Sequence, residues 1–571
     1  MTTPPALERS HVCGATDTPL IEATIGDFFA DMALRQGERE ALVSRHQGLR
    51  YTYAGLYRAM RQLASALLSL GLEKGDRVGI WSHNNAEWVL MQLATAKVGL
   101  ILVNINPAYR TAEVEYALNK VGCKALVAMP SFKSSNYLGM LRELAPELER
   151  CMPGMLAAKR LPTLRSVIWI DVAGQGEEQP GMLRFSDVMA RGHASDERID
   201  DVAHTLENTD PINIQFTSGT TGFPKGATLT HRNILNNGFF IGECMRLTPR
   251  DRLCIPVPLY HCFGMVLGNL ACFTHGSTIV YPNDGFDPLT VLETVQAERC
   301  TGLHGVPTMF IAELDHPRFK DFDLSSLRTG IMAGSPCPIE VMKRVQADMH
   351  MTEVTIAYGM TETSPVSCQS STNTPLDKRV STVGQVQPHL EVKIVDPDTG
   401  AIVPVGGAGE LCTKGYSVMH GYWGDAEKTR EAIDADGFMH TGDLATMDAQ
   451  GYVNIVGRIK DMVIRGGENL YPREIEEFLY RHPKVQDVQV VGVPDSRYGE
   501  ELCAWIIAKP GQQPSEDDIR DFCKGQIAHY KVPRYIRFVD AFPMTVTGKI
   551  QKFKIREAMV EQLQLQEVRT A

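Results

Sequence analysis

The chain has 571 residues, too many for one hydrophobic core, so at least two domains are expected. Apolar residues make up 43% and charged residues 22%, the balance of a folded globular protein rather than a disordered one. A formal net charge of -11 argues against a nucleic-acid partner, whose phosphates need a basic surface.

The first twenty residues mix prolines, acids and one arginine. They lack the apolar core of a secretory signal and the arginine-rich, acid-poor look of a transit peptide, so the cytoplasm is the expected compartment. From residue 77 strands and helices alternate. A strand over 77–83 is followed by a helix over 85–99, a strand over 100–107, a helix over 111–122 and a strand over 124–129. This alternation predicts an α/β fold with a mainly parallel sheet. Lys97, Asn104 and Asn106 interrupt the most apolar stretch, 88–107, which reads as a helix and a buried strand rather than a membrane span. Residues 171–210 are polar and acidic and predict a surface excursion between two halves of a large domain. Strands are expected again at 213–218, 254–260, 277–282 and 301–306, each leading into a helix. Over 390–457 short β-rich runs broken by Asp-Gly and Gly-Gly turns predict a small β subdomain. A compact α+β unit follows, with strands at 485–493 and 502–508, helices at 472–482 and 515–527, and a boundary near Lys460 (1–459 and 460–571). The 13 cysteines contain no C-x-x-C pair, so neither a disulfide framework nor a zinc site is expected.

The most informative segment runs from Thr217 to Gly226 directly after the strand at 213–216. Thr217, Ser218, Thr220 and Thr221 offer hydroxyls, Gly219 and Gly222 let backbone approach a ligand, and Lys225 supplies charge, a set suited to a triphosphate. It is not a Walker motif, because G-x-x-x-x-G-K-[ST] has no match in the chain. On composition alone it could equally be a surface turn.

Three further motifs follow in order: Tyr358-Gly-Met-Thr-Glu-Thr-Ser364, His440-Thr-Gly-Asp-Leu444 with Gly457-Arg-Ile-Lys-Asp461, and Thr547-Gly-Lys549. With the phosphate loop they resemble the signatures of the adenylate-forming superfamily, which includes acyl- and aryl-CoA synthetases, firefly luciferase and peptide-synthetase adenylation domains. The resemblance covers residues 50 to 557. It implies a large N-terminal domain of two α/β subdomains plus a small β subdomain, followed by a small mobile α+β domain. It also implies ATP, Mg2+ and coenzyme A as reactants and cofactor, with a small carboxylic acid as the other substrate.

Carried over residue by residue, the resemblance makes Lys549 the catalytic lysine between carboxylate and α-phosphate. Glu362 becomes the magnesium ligand and Thr361 a phosphate or carboxylate contact. Tyr358 and Gly359, with Gly334 and Ser335, would hold adenine; Asp443 would take the ribose hydroxyls, with Arg458 helping from the other side. Lys460 takes the hinge position, and Gly466, Gly467 and Glu468 form a turn on the coenzyme A side. Read alone, Lys549 is a surface lysine, Tyr358 a core aromatic, Asp443 a turn former and Arg458 a solvated charge.

The corresponding acyl-pocket segments supply His261, Phe263, Gly264, Val306 and Gly334, with no acid to hold an α-amino group. An amino-acid substrate is therefore not expected, and a neutral aliphatic tail suits the site. A His261–Cys262 dyad is not expected, since neighbours in sequence do not face each other on a strand. The sequence around 258–265 and 330–338 looks most like medium-chain fatty acyl-CoA synthetases. An aryl acid, a separate carrier protein as acceptor and a non-catalytic homologue stay open, as does the oligomeric state.

Overall fold

A computed structural model describes residues 7–171, 177–217, 224–335, 337–465, 468–495, 497–524, 526–545 and 549–565. The first alternating segment folds into parallel strands Arg77–Trp81, Ile101–Asn104 and Ala125–Ala128, linked by helices Ala86–Lys97 and Thr111–Val121. The Asn85 side chain caps the first helix by accepting from the Trp88 N–H. That helix is buried on nearly every side, which explains its apolar sequence without a membrane. Among the described residues no helix is long and apolar enough to cross one.

These strands belong to an eight-stranded sheet running, edge to edge, through Leu183–Arg184, Ser166–Trp169, Ala125–Ala128, Arg77–Trp81, Ile101–Asn104, Pro211–Thr217, Lys225–Thr230 and Gly421–Tyr422. A nine-stranded sheet centres on Gly302–Leu303, Thr329–Ala333 and Glu353–Gly359, and carries the early strands Glu40–Ser44 and Leu49–Thr52 at one edge. A third, antiparallel sheet contains Leu390–Val395, Gly409–Gly415, Met439–Met447 and Val453–Arg458. The C-terminal unit has its own sheet around Val485–Asp495 and Gly499–Ala508, with a core that includes Ile475, Val488, Val490, Ile506 and Ile519. It touches the rest of the chain where Gln486 Nε2 donates to Asp315 Oδ2 (3.3 Å).

Three expectations need correction, and one strand is additional. The strand expected over 254–260 is only Arg252–Cys254, because Pro256 and Pro258 have no N–H for a ladder and the chain turns away. Strand Pro211–Thr217 leads first into the antiparallel strand Lys225–Thr230, and only then into helix His231–Met245, whose cap is Thr230. Residues 171–210 are not a plain excursion: helices Phe185–Arg191 and Arg198–Ala203 pack on helix Tyr53–Ser69, with Arg61 paired to Asp200 at 2.6 Å. Finally, the β subdomain gains an edge strand from the N-terminus, His11–Cys13, antiparallel to Leu390–Val395.

Candidate active site

The site forms where strands of the two large sheets end, the usual place for ligands in open α/β sheets. Thr217 ends one strand of the eight-stranded sheet. In the nine-stranded sheet Ala333 and Ala357 lie in register, which brings Gly334 and Tyr358 out side by side. Gly334 has φ +91, and a Cβ there would lie 3.1 Å from Val306 Cγ1 and 4.0 Å from Lys549 Cε. A Cβ on Gly359 would lie 1.6 Å from the Pro365 carbonyl oxygen, so only glycine lets these two backbones touch. Ser335 follows Gly334 directly and is half-buried.

The short 3-10 turn Thr361–Thr363 then points Glu362 back across the gap. Its Oε1 accepts from Thr217 Oγ1 (3.1 Å) and from the Tyr422 hydroxyl (2.9 Å). Its Oε2 accepts no hydrogen bond among the described residues. Tyr422 was not foreseen: no motif surrounds it, and its importance comes from strand Gly421–Tyr422 joining the edge of the eight-stranded sheet. Lys225 belongs to the same cluster, its ammonium 4.6 Å over the Tyr422 ring. Ser218, Gly219, Thr220, Thr221 and Gly222 lie outside the described residues.

Asp443 and Arg458 are cross-strand partners in the hairpin of Met439–Met447 with Val453–Arg458. Register alone therefore places them beside each other, and Arg458 Nε donates to Asp443 Oδ1 (3.0 Å). The Tyr358 hydroxyl donates to Asp443 Oδ2 (2.6 Å), so the expected adenine and ribose residues are one hydrogen-bonded group. Glu410, also unforeseen, clasps the turn before Asp443: its Oε1 accepts the Gly442 N–H (2.9 Å) and its Oε2 lies 2.8 Å from His440 Nδ1. Lys460 sits two residues beyond Arg458 in the turn Ile459–Asp461, and burial, then Arg458, lower its pKa from the ordinary lysine value.

Lys549 comes from the C-terminal unit into this group. Its backbone is fixed by Thr545, whose N–H donates to the Lys549 carbonyl (2.8 Å) and whose Oγ1 accepts the Lys549 N–H (3.1 Å). Its side chain closes a narrow apolar pocket walled by Val257, Pro258, His261, Phe263, Val306 and Gly334. Desolvation is the main cause of a lowered Lys549 pKa; Arg458 adds to it, while Asp443 and Glu362 oppose it. Burial, with Lys549 nearby, pushes His261 down to about 3, so its imidazole is neutral.

His261 and Cys262 do not form a dyad. His261 Nδ1 accepts the Phe263 N–H (3.1 Å), whereas the Cys262 thiol donates to Gln215 Oε1 (3.2 Å) and burial pushes it up to about 12. Gly264 lets the turn pack onto Pro258, where a Cβ would lie 2.5 Å from the carbonyl oxygen. His304 is a satisfied core histidine, placed between the Leu267 carbonyl (2.9 Å) and the Ile331 N–H (3.1 Å). On the coenzyme A side, Gly466 and Gly467 lie outside the described residues; the backbones of Arg465 and Glu468 on either side of them are in antiparallel register.

The arrangement joins a buried cation, a carboxylate with one available oxygen, a hydrogen-bonded aromatic–acid–arginine group and a neutral apolar pocket. Comparison with known proteins shows the family. The AMP-binding enzyme family model matches residues 29–423, and the AMP-binding enzyme C-terminal domain matches 474–549. YngI of Bacillus subtilis is 51% identical over 548 residues, covering 96% of this chain and 99% of that protein. The mitochondrial medium-chain acyl-CoA ligase ACSF2 of Danio rerio is 49% identical, covering 98% and 92%. The crystal structure of the anthranilate CoA ligase AuaEII with anthranoyl-AMP has a TM-score of 0.84 at 28% identity, covering 96% and 99%. The chain belongs to the AMP-binding enzyme family, as one of its AMP-forming acyl-CoA synthetases.

Proposed function

We propose that this synthetase acts on a medium-chain fatty acid, with Lys549 as the residue that makes adenylation possible. The observation that carries the reading is the position of Lys549 at a pocket whose walls, among the described residues, hold no acid and no cation other than Lys549 itself. A carboxylate repels a nucleophile and its oxide leaves poorly, so activation needs its transfer to the α-phosphate of ATP. Both reacting groups are anionic. A desolvated ammonium between them offsets that repulsion more strongly than a hydrated one would. Attack by a carboxylate oxygen on the α-phosphorus breaks its bond to the β-phosphate bridge, giving acyl-AMP and pyrophosphate. The thiol of coenzyme A then displaces AMP.

In this reading Asp443 accepts from the ribose hydroxyls, and Tyr358 with Gly334, Ser335 and Gly359 lies along adenine. Thr217, the loop 218–222 and Lys225 hold the outer phosphates, beside Thr361. Glu362 fits a Mg2+ ion, which takes one or two carboxylates plus substrate phosphate, since its Oε2 accepts no hydrogen bond among the described residues. Such an ion would neutralise phosphate charge. For the second step the unit beyond Lys460 turns, replacing Lys549 by the turn at Gly466, Gly467 and Glu468. The name of ACSF2, with the apolar pocket, supports an aliphatic acid; each buried CH₂ contributes about 0.8 kcal/mol.

The test is AMP release with ATP, magnesium and coenzyme A over straight-chain acids, aromatic acids and amino acids. A maximum at intermediate aliphatic length is expected, falling at least about 100-fold in Lys549→Ala. Turnover confined to aromatic acids would overturn the choice of acid. Unchanged turnover in Lys549→Ala would overturn the role of the lysine.

A further inference from the structure

Tyr422 touches Glu362 with its hydroxyl and also lines a second cleft, of about 180 Å³, shared with the proposed ATP site only through Lys225 and Tyr422 itself. Three elements bring ammonium groups to it. Lys120 comes from helix Thr111–Val121, Lys225 from the start of strand Lys225–Thr230, and Lys428 from helix Ala426–Ala432. Among the described residues Lys120 and Lys225 make no ion pair, and Lys428 pairs with Glu431 (2.7 Å). Among the described residues Asp425 is the one carboxylate in the lining, and its Oδ1 already accepts the Lys428 N–H (3.0 Å). Behind the Trp423 wall, the Arg77 guanidinium lies 5.5 Å from the ring and donates to the carbonyls of Gly75, Val121 and Gly122.

Cations gathered in one concavity repel one another unless an anion joins them, so the lining calls for a compact polyanion. One is made next to it. Lys225 ends the segment that begins at Thr217, and Tyr422 connects the cleft to the carboxylate proposed to hold magnesium. We propose that this cleft is a station for the pyrophosphate released by adenylation, received from the Lys225 side by Lys120 and Lys428. The proposal rests on the adenylation reading above. No covalent step is involved; by microscopic reversibility the same cleft receives pyrophosphate on its way in when ATP is resynthesised.

ATP–pyrophosphate exchange without coenzyme A tests this, because there pyrophosphate is a substrate. In Lys120→Ala and Lys428→Ala the KM for pyrophosphate should rise about five-fold or more, and further in the double variant, with the KM for ATP within two-fold. The effect should shrink as salt is raised. Lys120→Met guards against a packing effect, since it keeps an unbranched side chain of nearly the same length and removes the charge. An unchanged pyrophosphate KM in the double variant overturns the proposal. So does a parallel rise in the ATP KM, which would make the lysines part of the ATP site. A raised KM for coenzyme A in thioester formation, with exchange unaffected, would assign the cleft to the nucleotide end of coenzyme A and also overturn it. Absence of exchange with every acid would instead refute the adenylation reading itself.

Discussion

In the role proposed for it Lys549 is useful only while protonated, yet its surroundings disfavour the proton. The sign of the consequence is fixed. A lowered pKa means the amine loses its proton at a pH where an ordinary lysine keeps it, and a neutral amine cannot bridge two anions. In ATP–pyrophosphate exchange, kcat/KM for the acid should therefore fall on an alkaline limb below the ordinary lysine value of about 10.4. Saturating ATP should move the kcat limb upward, because phosphate favours the charged form. Lys549→Arg should be slower but lose this limb, since arginine stays charged. A limb unaffected by that change would exclude Lys549 as its source. Thr217, Tyr358, Glu362, Asp443, Arg458 and Lys549 were all readable as candidates because each sits in a short contiguous motif, and the structure brings them together. Tyr422 and Glu410 were not readable. Each acts through a contact made across strands, and its own neighbours in sequence carry no chemical signature.

The hairpin of Met439–Met447 with Val453–Arg458 depends on a residue from the strand next to it. Glu410, on Gly409–Gly415, holds the Gly442 N–H and His440, while the Thr441 hydroxyl donates to the Leu411 carbonyl (2.7 Å). Glu410→Ala removes an acceptor that engages two groups of the turn, at a cost of roughly 1.5–3 kcal/mol for hydrogen bonds to a charged group. The expected outcome is a KM for ATP raised about ten-fold, with a lower Tm and little change in KM for the acid. A lower Tm with unchanged KM for ATP would mean that the clasp stabilises the sheet without orienting Asp443. Elements with a clear period or an unbroken apolar run were legible: the helix and strand of 88–107 are both present. Misreadings arose where one backbone group decided the outcome, as with Pro256 and Pro258. The strand His11–Cys13 had no apolar pattern to show, because its pairing comes from a partner far along the chain.

For the molecule as a whole, the proposed turn of the C-terminal unit about Lys460 makes a directional prediction. Residues Ile459–Asp461 form a 3-10 turn, whose φ lies close to the value of about −65° that proline enforces. Lys460→Pro is thus compatible with the present arrangement, where Lys549 is in the site, but resists rotation away from it. Acyl-adenylate formation should stay within a few-fold, while thioester formation from preformed acyl-AMP falls at least about ten-fold. Equal loss in both would refute a hinge at this position. The N-terminal strand has a different consequence, for how the protein is made. His11 meets Glu391, 380 residues later, and strand Glu40–Ser44 pairs with Thr278–Tyr281. At translation rates of about 5–20 residues per second, the first strand waits on the order of 20–80 s for its neighbour to be synthesised. For that interval the nascent chain keeps sheet edges open, whereas the C-terminal unit, contiguous in sequence, closes its own core once released. Protection by chaperones during synthesis is therefore a need of the first four hundred residues far more than of the last hundred.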